Sequence, residues 1–247
     1  MSLNDRLFNM EHMFNNSISH HEEGNVTTIT ESRRAFIPGM GVESLLPLYD
    51  PFTRLLGVDR ARRELIVQAH LQPHHHVLDI GCGTGSLAVL SKRLFPAVEV
   101  IGLDPDEKAL ARAKLKAQRA KVAIQFDVGF SDALSYPTAS FDRVFSSFMF
   151  HHLARDDKQR TLGEIRRVLK DGGSLHLLDF DGPMESGHGW RWRGLHSHPR
   201  LTDNAERTIL ELMKEVGLVE PRKTSDRTLF GGSLRIAYYQ AGIDSER

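Results

Sequence analysis

An α/β fold with a mostly parallel seven-stranded sheet, helices on both faces and a C-terminal antiparallel hairpin is what the sequence predicts, and three observations predict it. Short apolar runs alternate with amphipathic stretches from about residue 77 to residue 180, the pattern of strand–helix units whose sheet is covered on both sides. A turn with three glycines, Gly81-Cys82-Gly83-Thr84-Gly85, closes the first apolar run. Two β-like stretches joined by Gly231-Gly232 end the chain as a hairpin would.

Taken in order, residues 1–34 show little sustained period, and Gly41 to Leu71 reads as short helices broken by Pro47, Pro51 and Gly57. Val77 to Ile80 is the first strand and Leu87 to Leu94 its helix. Val98 to Leu103 is the second strand and Glu107 to Ala120 the next helix. Val122 to Val128 predicts a third strand and Phe141 to Ser147 a fourth, followed by a helix over 156–169 whose buried stripe is Leu162, Ile165, Val168 and Leu169. Lys170-Asp171-Gly172-Gly173 stops that helix and leads into a fifth strand, Ser174 to Phe180. A helix over 204–216 and the stretches 218–229 and 233–240 complete a Rossmann-like order.

With 247 residues and 40% hydrophobic content the chain can bury one sizeable core. The expected organisation is an N-terminal helical cap or lid over residues 1–72 and a core over 73–247 with a substrate-side insert at 181–201. Lys and Arg (32) balance Asp and Glu (32), so no global field gathers nucleic acid, and the basic run from Arg112 to Lys121 reads as the solvated face of a helix. One cysteine excludes a disulfide framework and a multi-cysteine zinc site. No long apolar segment is present, so a cytoplasmic protein is expected; a homodimer is left open.

The glycine turn between a strand and a helix is built to hold a nucleotide-like cofactor on bare backbone. A dinucleotide fingerprint would place its third glycine at position 86, where this chain has Ser86. Asp79, two residues before the first glycine, would aim a carboxylate into the crevice where a pyrophosphate would sit, unless it caps the turn instead. A cationic ligand fits better, and S-adenosylmethionine carries both an ammonium and a sulfonium. Asp104, at the end of the second strand in Gly102-Leu103-Asp104-Pro105-Asp106, is placed for a ribose diol, whereas Asp106 suits capping of the next helix. In Gly129-Phe130-Ser131-Asp132, Asp132 could reach the adenine amino group and Phe130 could wall the base.

These elements, with Leu134 to Asp142, Ser146-Ser147-Phe148-Met149-Phe150-His151-His152-Leu153 and Leu169 to Gly173, resemble the class I S-adenosylmethionine-dependent methyltransferases, in particular the type 11 branch with the ubiquinone/menaquinone C-methyltransferases. The resemblance covers residues 74–180. It implies that Asp79 and the loop of Gly81, Cys82, Gly83 and Gly85 hold the methionyl part, that Asp104 beside Pro105 holds the ribose, and that Phe130, Ser131 and Asp132 surround the adenine. It also implies that Ser147 and Phe148 line the crevice near the sulfonium. Phe130 departs from the family, where an Asp commonly stands, leaving that contact to Asp132 or to backbone.

Methyl transfer needs alignment and exclusion of water more than covalent help. Where the acceptor must lose a proton, His151 is the candidate base, because it follows the fourth strand at the open end of the sheet; a core histidine bonded to backbone is the competing reading. The insert carries His188, Trp190, Arg191, Trp192, Arg193, His196, His198 and Arg200, which suits a lid over a planar or anionic acceptor, against a packed surface loop. His196 and His198 alone make no metal motif, and no metal is assigned. A small-molecule acceptor, quinone- or lipid-like, is the expected substrate. An RNA or protein methyltransferase and a non-catalytic cofactor-binding regulator are the alternatives.

Overall fold

The computed structural model describes residues 57–181, 204–229 and 234–244. Residues 1–56 of the cap or lid predicted over 1–72, most of the insert and the Gly231-Gly232 turn lie outside the described residues. The elements are α1 (Val58–Gln68), β1 (His76–Ile80), α2 (Ser86–Leu94), β2 (Glu99–Asp104), α3 (Glu107–Ala120), β3 (Gln125–Val128), β4 (Phe141–Ser147), α4 (Arg155–Val168), β5 (Leu169–Phe180), α5 (Glu206–Glu215), β6 (Val219–Leu229) and β7 (Leu234–Gly242). A single 3₁₀ turn, Phe150–His152, follows β4.

The seven strands lie in the order β3-β2-β1-β4-β5-β7-β6. β1 to β5 pair in parallel, and β7 joins β5 and β6 antiparallel. The strand order reverses between β1 and β4, so the crevice beyond their carboxyl ends is the position where ligands bind in such sheets.

Alternation along each strand builds two cores. Val77, Phe145, Leu178 and Tyr238 face α1, α2 and α3, while Leu78, Val144, Leu177 and Tyr239 face α4 and α5. α1 follows the i, i+3, i+4 rule, burying Val58, Ala61, Arg62, Leu65 and Ile66, and so belongs to the first core. The sequence order is recovered with local changes of boundary. β3 starts at Gln125 because Lys121 turns left-handed (φ 55°) and the Val122 N–H returns to the Ala117 carbonyl to end α3. Between the pairs Phe141–Leu169 and Arg143–Ser174 the register shifts, so Lys170 to Gly173 bulge out where a stop was expected. Among the described residues no helix is long and apolar enough to cross a membrane.

Candidate active site

The glycine loop leaves β1 with positive φ at Gly81, Gly83 and Gly85. A Cβ on Gly81 (φ 65°) would lie 2.3 Å from Met149 Cγ, so this glycine is where the loop lets the segment after β4 approach. Gly83 (φ 53°) differs: among the described residues its Cβ would meet nothing within 4 Å, leaving its backbone uncovered by them. The loop is held from beneath. Cys82 N–H donates to the Leu103 carbonyl (3.0 Å), Gly85 N–H to the Cys82 carbonyl (2.9 Å), and Lys116 Nζ of α3 donates to Thr84 Oγ1 (3.0 Å) and Ser86 Oγ (2.7 Å). Cys82 is buried against Gly102, whose Cβ would fall 2.9 Å from its sulfur, so its small size is required there.

Asp104 joins β2 to this loop. Its Oδ2 accepts the Gly83 N–H (2.8 Å) and its Oδ1 the Asp106 N–H (2.9 Å), folding a short turn over the half-buried Pro105. Burial pushes its carboxyl pKa up, and the two N–H groups offset part of that rise. Each oxygen keeps acceptor capacity for a further donor such as a hydroxyl. Asp106 caps α3, accepting from Lys108 N–H (2.8 Å) and Ala109 N–H (3.2 Å), as its position in sequence predicts. The Gly129 N–H reaches the Asp104 carbonyl (3.3 Å), bringing the turn of half-buried Phe130 beside the same edge. In that turn Ser131 Oγ pairs with Thr161 Oγ1 (2.9 Å) and Asp132 Oδ2 accepts from Arg160 (3.4 Å), so both are tied to α4.

Asp79 sits under the loop, 1% exposed, its Oδ2 accepting the Ala88 N–H in the first turn of α2 (3.1 Å). It thus supports the loop from within the fold. Burial drives its pKa up to about 7, against the pull of the Arg62 guanidinium and the Ala88 N–H.

On the other side of the switch point, Ser147 ends β4 with its Oγ buried and, among the described residues, unbonded, and Phe148 follows in a left-handed conformation (φ 57°), its N–H donating to the Leu178 carbonyl (2.9 Å). A non-glycine residue held there is strained, and the strain turns the chain into the 3₁₀ turn that carries His151. His151 Nδ1 lies 2.7 Å from Asp179 Oδ1, and the His151 N–H donates to Asp179 Oδ2 (3.1 Å). Asp179 is fully buried in β5. Burial raises its pKa, but the His151 ring and the N–H groups of Phe180 and His151 outweigh that and hold it below the usual carboxylate range. Phe180 packs on Phe148 (ring centroids 5.3 Å) and on His151 (4.7 Å), making an aromatic wall.

The sequence reading missed Asp179 and Phe180, although one carboxylate inside Leu177-Leu178-Asp179-Phe180 is a signal: a charge in a strand buried on both faces requires a partner. His74 and His76 are exposed, and among the described residues no group of His, Cys, Asp and Glu is arranged to hold a metal ion. His196 and His198, the pair weighed for a metal, lie outside the described residues.

The methyltransferase domain family matches residues 77–173, from β1 to the bulge in β5. A demethylmenaquinone methyltransferase from Deinococcus radiodurans is 38% identical over 163 residues, spanning 64% of this chain and 67% of that protein. One from Thermus thermophilus is 36% identical over 152 residues, 60% of this chain and 68% of that protein. This chain belongs to the methyltransferase family. Among solved structures, the YcgJ protein from Bacillus subtilis aligns with a TM-score of 0.61 at 21% identity, over 75% of this chain and 98% of that one. A Haemonchus contortus phosphoethanolamine N-methyltransferase 2 in complex with S-adenosylmethionine aligns with a TM-score of 0.63 at 17% identity, over 75% of this chain and 52% of that one. At these identities the structures show the shared Rossmann-like methyltransferase fold.

Proposed function

We propose that this methyltransferase uses S-adenosylmethionine to methylate a small hydroxylated planar acceptor of the quinone kind, with His151 as the base. The arrangement that carries the reading is His151 held by buried Asp179 across the switch point from the glycine loop and Asp104. The relatives named as demethylmenaquinone methyltransferases support the choice of acceptor.

The residues present suit the cofactor. Gly83 offers open backbone, Asp104 can accept from a ribose diol, Phe130 offers a flat face, and Asp79 supplies negative charge for a cationic end. The bound donor would supply an already activated methyl group. Asp179 accepts from Nδ1, which leaves Nε2 as the atom that takes a proton from an acceptor hydroxyl and raises the nucleophilicity of the conjugated ring. The hydroxyl proton would pass to Nε2 as the ring carbon takes the methyl; His151 would then return a proton to that oxygen as the methylated carbon loses its own hydrogen to water, so one proton in all leaves. Phe148 and Phe180 supply apolar surface for a planar ring and keep water from the reacting atoms. A cytoplasmic enzyme acting on such an acceptor fits the same reading.

Incubation with methyl-labelled S-adenosylmethionine and three acceptor pools, a quinol extract, polar metabolites and RNA, tests it. Label that partitions with the quinols is the expected result. Label in RNA or protein favours a macromolecular acceptor, and tight cofactor binding with no labelled product favours a regulator.

A further inference from the structure

The sheet carries a second recess, at the end away from the glycine loop. It holds about 610 Å³ and lies where the amino ends of β1, β2 and β3 meet the last turns of α2 and α3. That size falls within the about 300–1,000 Å³ of small-molecule sites. Glu99 on its lining and Asp104 at the loop stand at opposite ends of β2, roughly 17 Å apart at the rise of a strand. The recess is therefore separate from the crevice described above.

Its lining has two chemistries. Val100, Val122, Ile124 and Phe126 give an apolar wall, of which Val100 and Phe126 belong to the buried core. Phe126 is fixed from behind, because a Cβ on Gly102 would fall 2.8 Å from its ring. The wall thus stands ready before any ligand arrives. Against it the lining sets two lysines and one carboxylate, a surplus of one positive charge. Lys92 Nζ donates to the Val98 carbonyl, and Glu99 Oε2 lies 3.6 Å from His76 Nε2. Lys114 has no such tie among the described residues. The contrast with the other helices is sharp: Arg155, Arg160 and Arg167 of α4 and Arg207 of α5 each meet a carboxylate. An unpaired ammonium beside a preformed apolar wall suits a ligand that brings one acidic group on an apolar body.

We propose that this recess is a second small-molecule site, for an aromatic carboxylate or sulfonate, and that Lys114 selects the charge. The inference stands apart from the cofactor and acceptor readings, since none of the residues assigned to them lines the recess.

Fluorescence titration at about 0.15 M salt with 8-anilinonaphthalene-1-sulfonate and with N-phenyl-1-naphthylamine tests this, because the two probes differ only in the sulfonate. The wild-type chain should bind the sulfonate at one site and keep it under saturating S-adenosylhomocysteine. In Lys114→Glu, affinity for the sulfonate relative to the neutral probe should fall by about 3–10-fold, the scale of reversing one exposed charge, with S-adenosylhomocysteine binding unchanged. Lys114→Arg should keep the wild-type ratio. Arg112→Glu, the same change of charge on α3 but off the recess, should keep it too. Displacement of the sulfonate by S-adenosylhomocysteine would place it in the crevice and overturn the inference. So would an unchanged ratio in Lys114→Glu, or an equal fall in Arg112→Glu. A chain that binds the sulfonate as expected but not S-adenosylhomocysteine would overturn the cofactor reading alone.

Discussion

Two buried carboxylates, one on each side of the switch point, behave in opposite ways. Asp79 at 1% exposure and Asp179 at 0% are equally removed from water, yet burial prevails at Asp79, with a pKa of about 7, and is overcome at Asp179. Partners make the difference. Among the described residues Asp79 has one backbone N–H and a cation not joined to it by an ion pair; Asp179 has the His151 ring, the His151 N–H and the Phe180 N–H, the last at 2.7 Å. A carboxylate whose bonds are complete fixes its neighbour in place. One whose bonds are incomplete is set to respond to a ligand. On this reading the glycine-loop side receives charge and the β4–β5 side moves a proton.

The largest expected effect breaks the second half of that contrast. Asp179→Asn keeps the shape but removes the charge that orients Nδ1–H, so turnover should fall by about 10²–10⁴, the range for losing a positioned base. Binding of S-adenosylhomocysteine should change less than about threefold, since the cofactor position proposed above lies across the crevice. Turnover and calorimetry on the same preparation separate the two; an affinity loss as large as the rate loss would show that Asp179 supports the whole crevice.

A second test uses protons, where sign matters. Because the folded pKa of Asp79 lies above its unfolded value of 3.8, the unfolded chain gives up this proton first, and Asp79 lowers stability by about 1.4 kcal/mol per pH unit from about pH 4 to pH 7. His176 opposes it. Burial and then Arg143 push its pKa down to about 3, so below an unfolded value of 6.5 its contribution is lost by a similar slope as pH falls. These contributions cancel between about pH 4 and pH 6.5. Asp79→Asn should therefore unmask stability that rises with pH in that window, and His176→Phe, beside the Phe145 ring at 5.7 Å, stability that falls. Denaturant midpoints of both variants check this; matching slopes in the two would refute the assignment. Asp179, with its lowered pKa, contributes stability present above its unfolded value and lost as pH falls through the folded one, so Asp179→Asn should lower stability at neutral pH and change its pH slope only at the acid end.

Asp104→Ala probes the loop through its frame. It frees the Gly83 and Asp106 N–H groups and removes the acceptor proposed for the ribose, so affinity for S-adenosylhomocysteine should drop by about 10–100-fold. Thermal stability should fall by the equivalent of about 1–2 kcal/mol, because solvent can reach the half-buried loop. Isothermal titration and a melting curve measure the two, and unchanged affinity would remove Asp104 from the cofactor site.

What was legible in the sequence follows the same division. The glycine loop and the β2 acid are backbone devices tied to short spacings, so the strand, the turn and Asp104 were readable in a row. The order of strands was readable too, because each apolar run carries its own period. His151 could be named from its place after β4, but Asp179 stands 28 residues further along, and only the parallel pairing of β4 with β5 brings them together. Arg62 was hidden for a related reason: a long cation inside an apolar stripe reads as a surface residue until the helix is seen packed. Asp132 was also named from spacing alone, and its contact with Arg160 of α4 belongs to the packed fold.

The smallest expected effects separate two glycines within one loop. Both have positive φ, so alanine at either carries a left-handed penalty of about 1–2 kcal/mol. Gly81→Ala adds a clash, since its Cβ would stand 2.3 Å from Met149 Cγ and 2.8 Å from Met149 Cβ, and Met149 follows the strained Phe148. It should therefore be the less stable variant, by about 1 kcal/mol or more. Gly83→Ala meets nothing within 4 Å and should lose only the conformational part, but its methyl would enter the space in front of the loop. Ranking by melting temperature should place Gly83→Ala above Gly81→Ala, and ranking by loss of S-adenosylhomocysteine affinity relative to stability should reverse them. If Gly83→Ala binds as the wild type does, the open side of the loop is not where the cofactor lies.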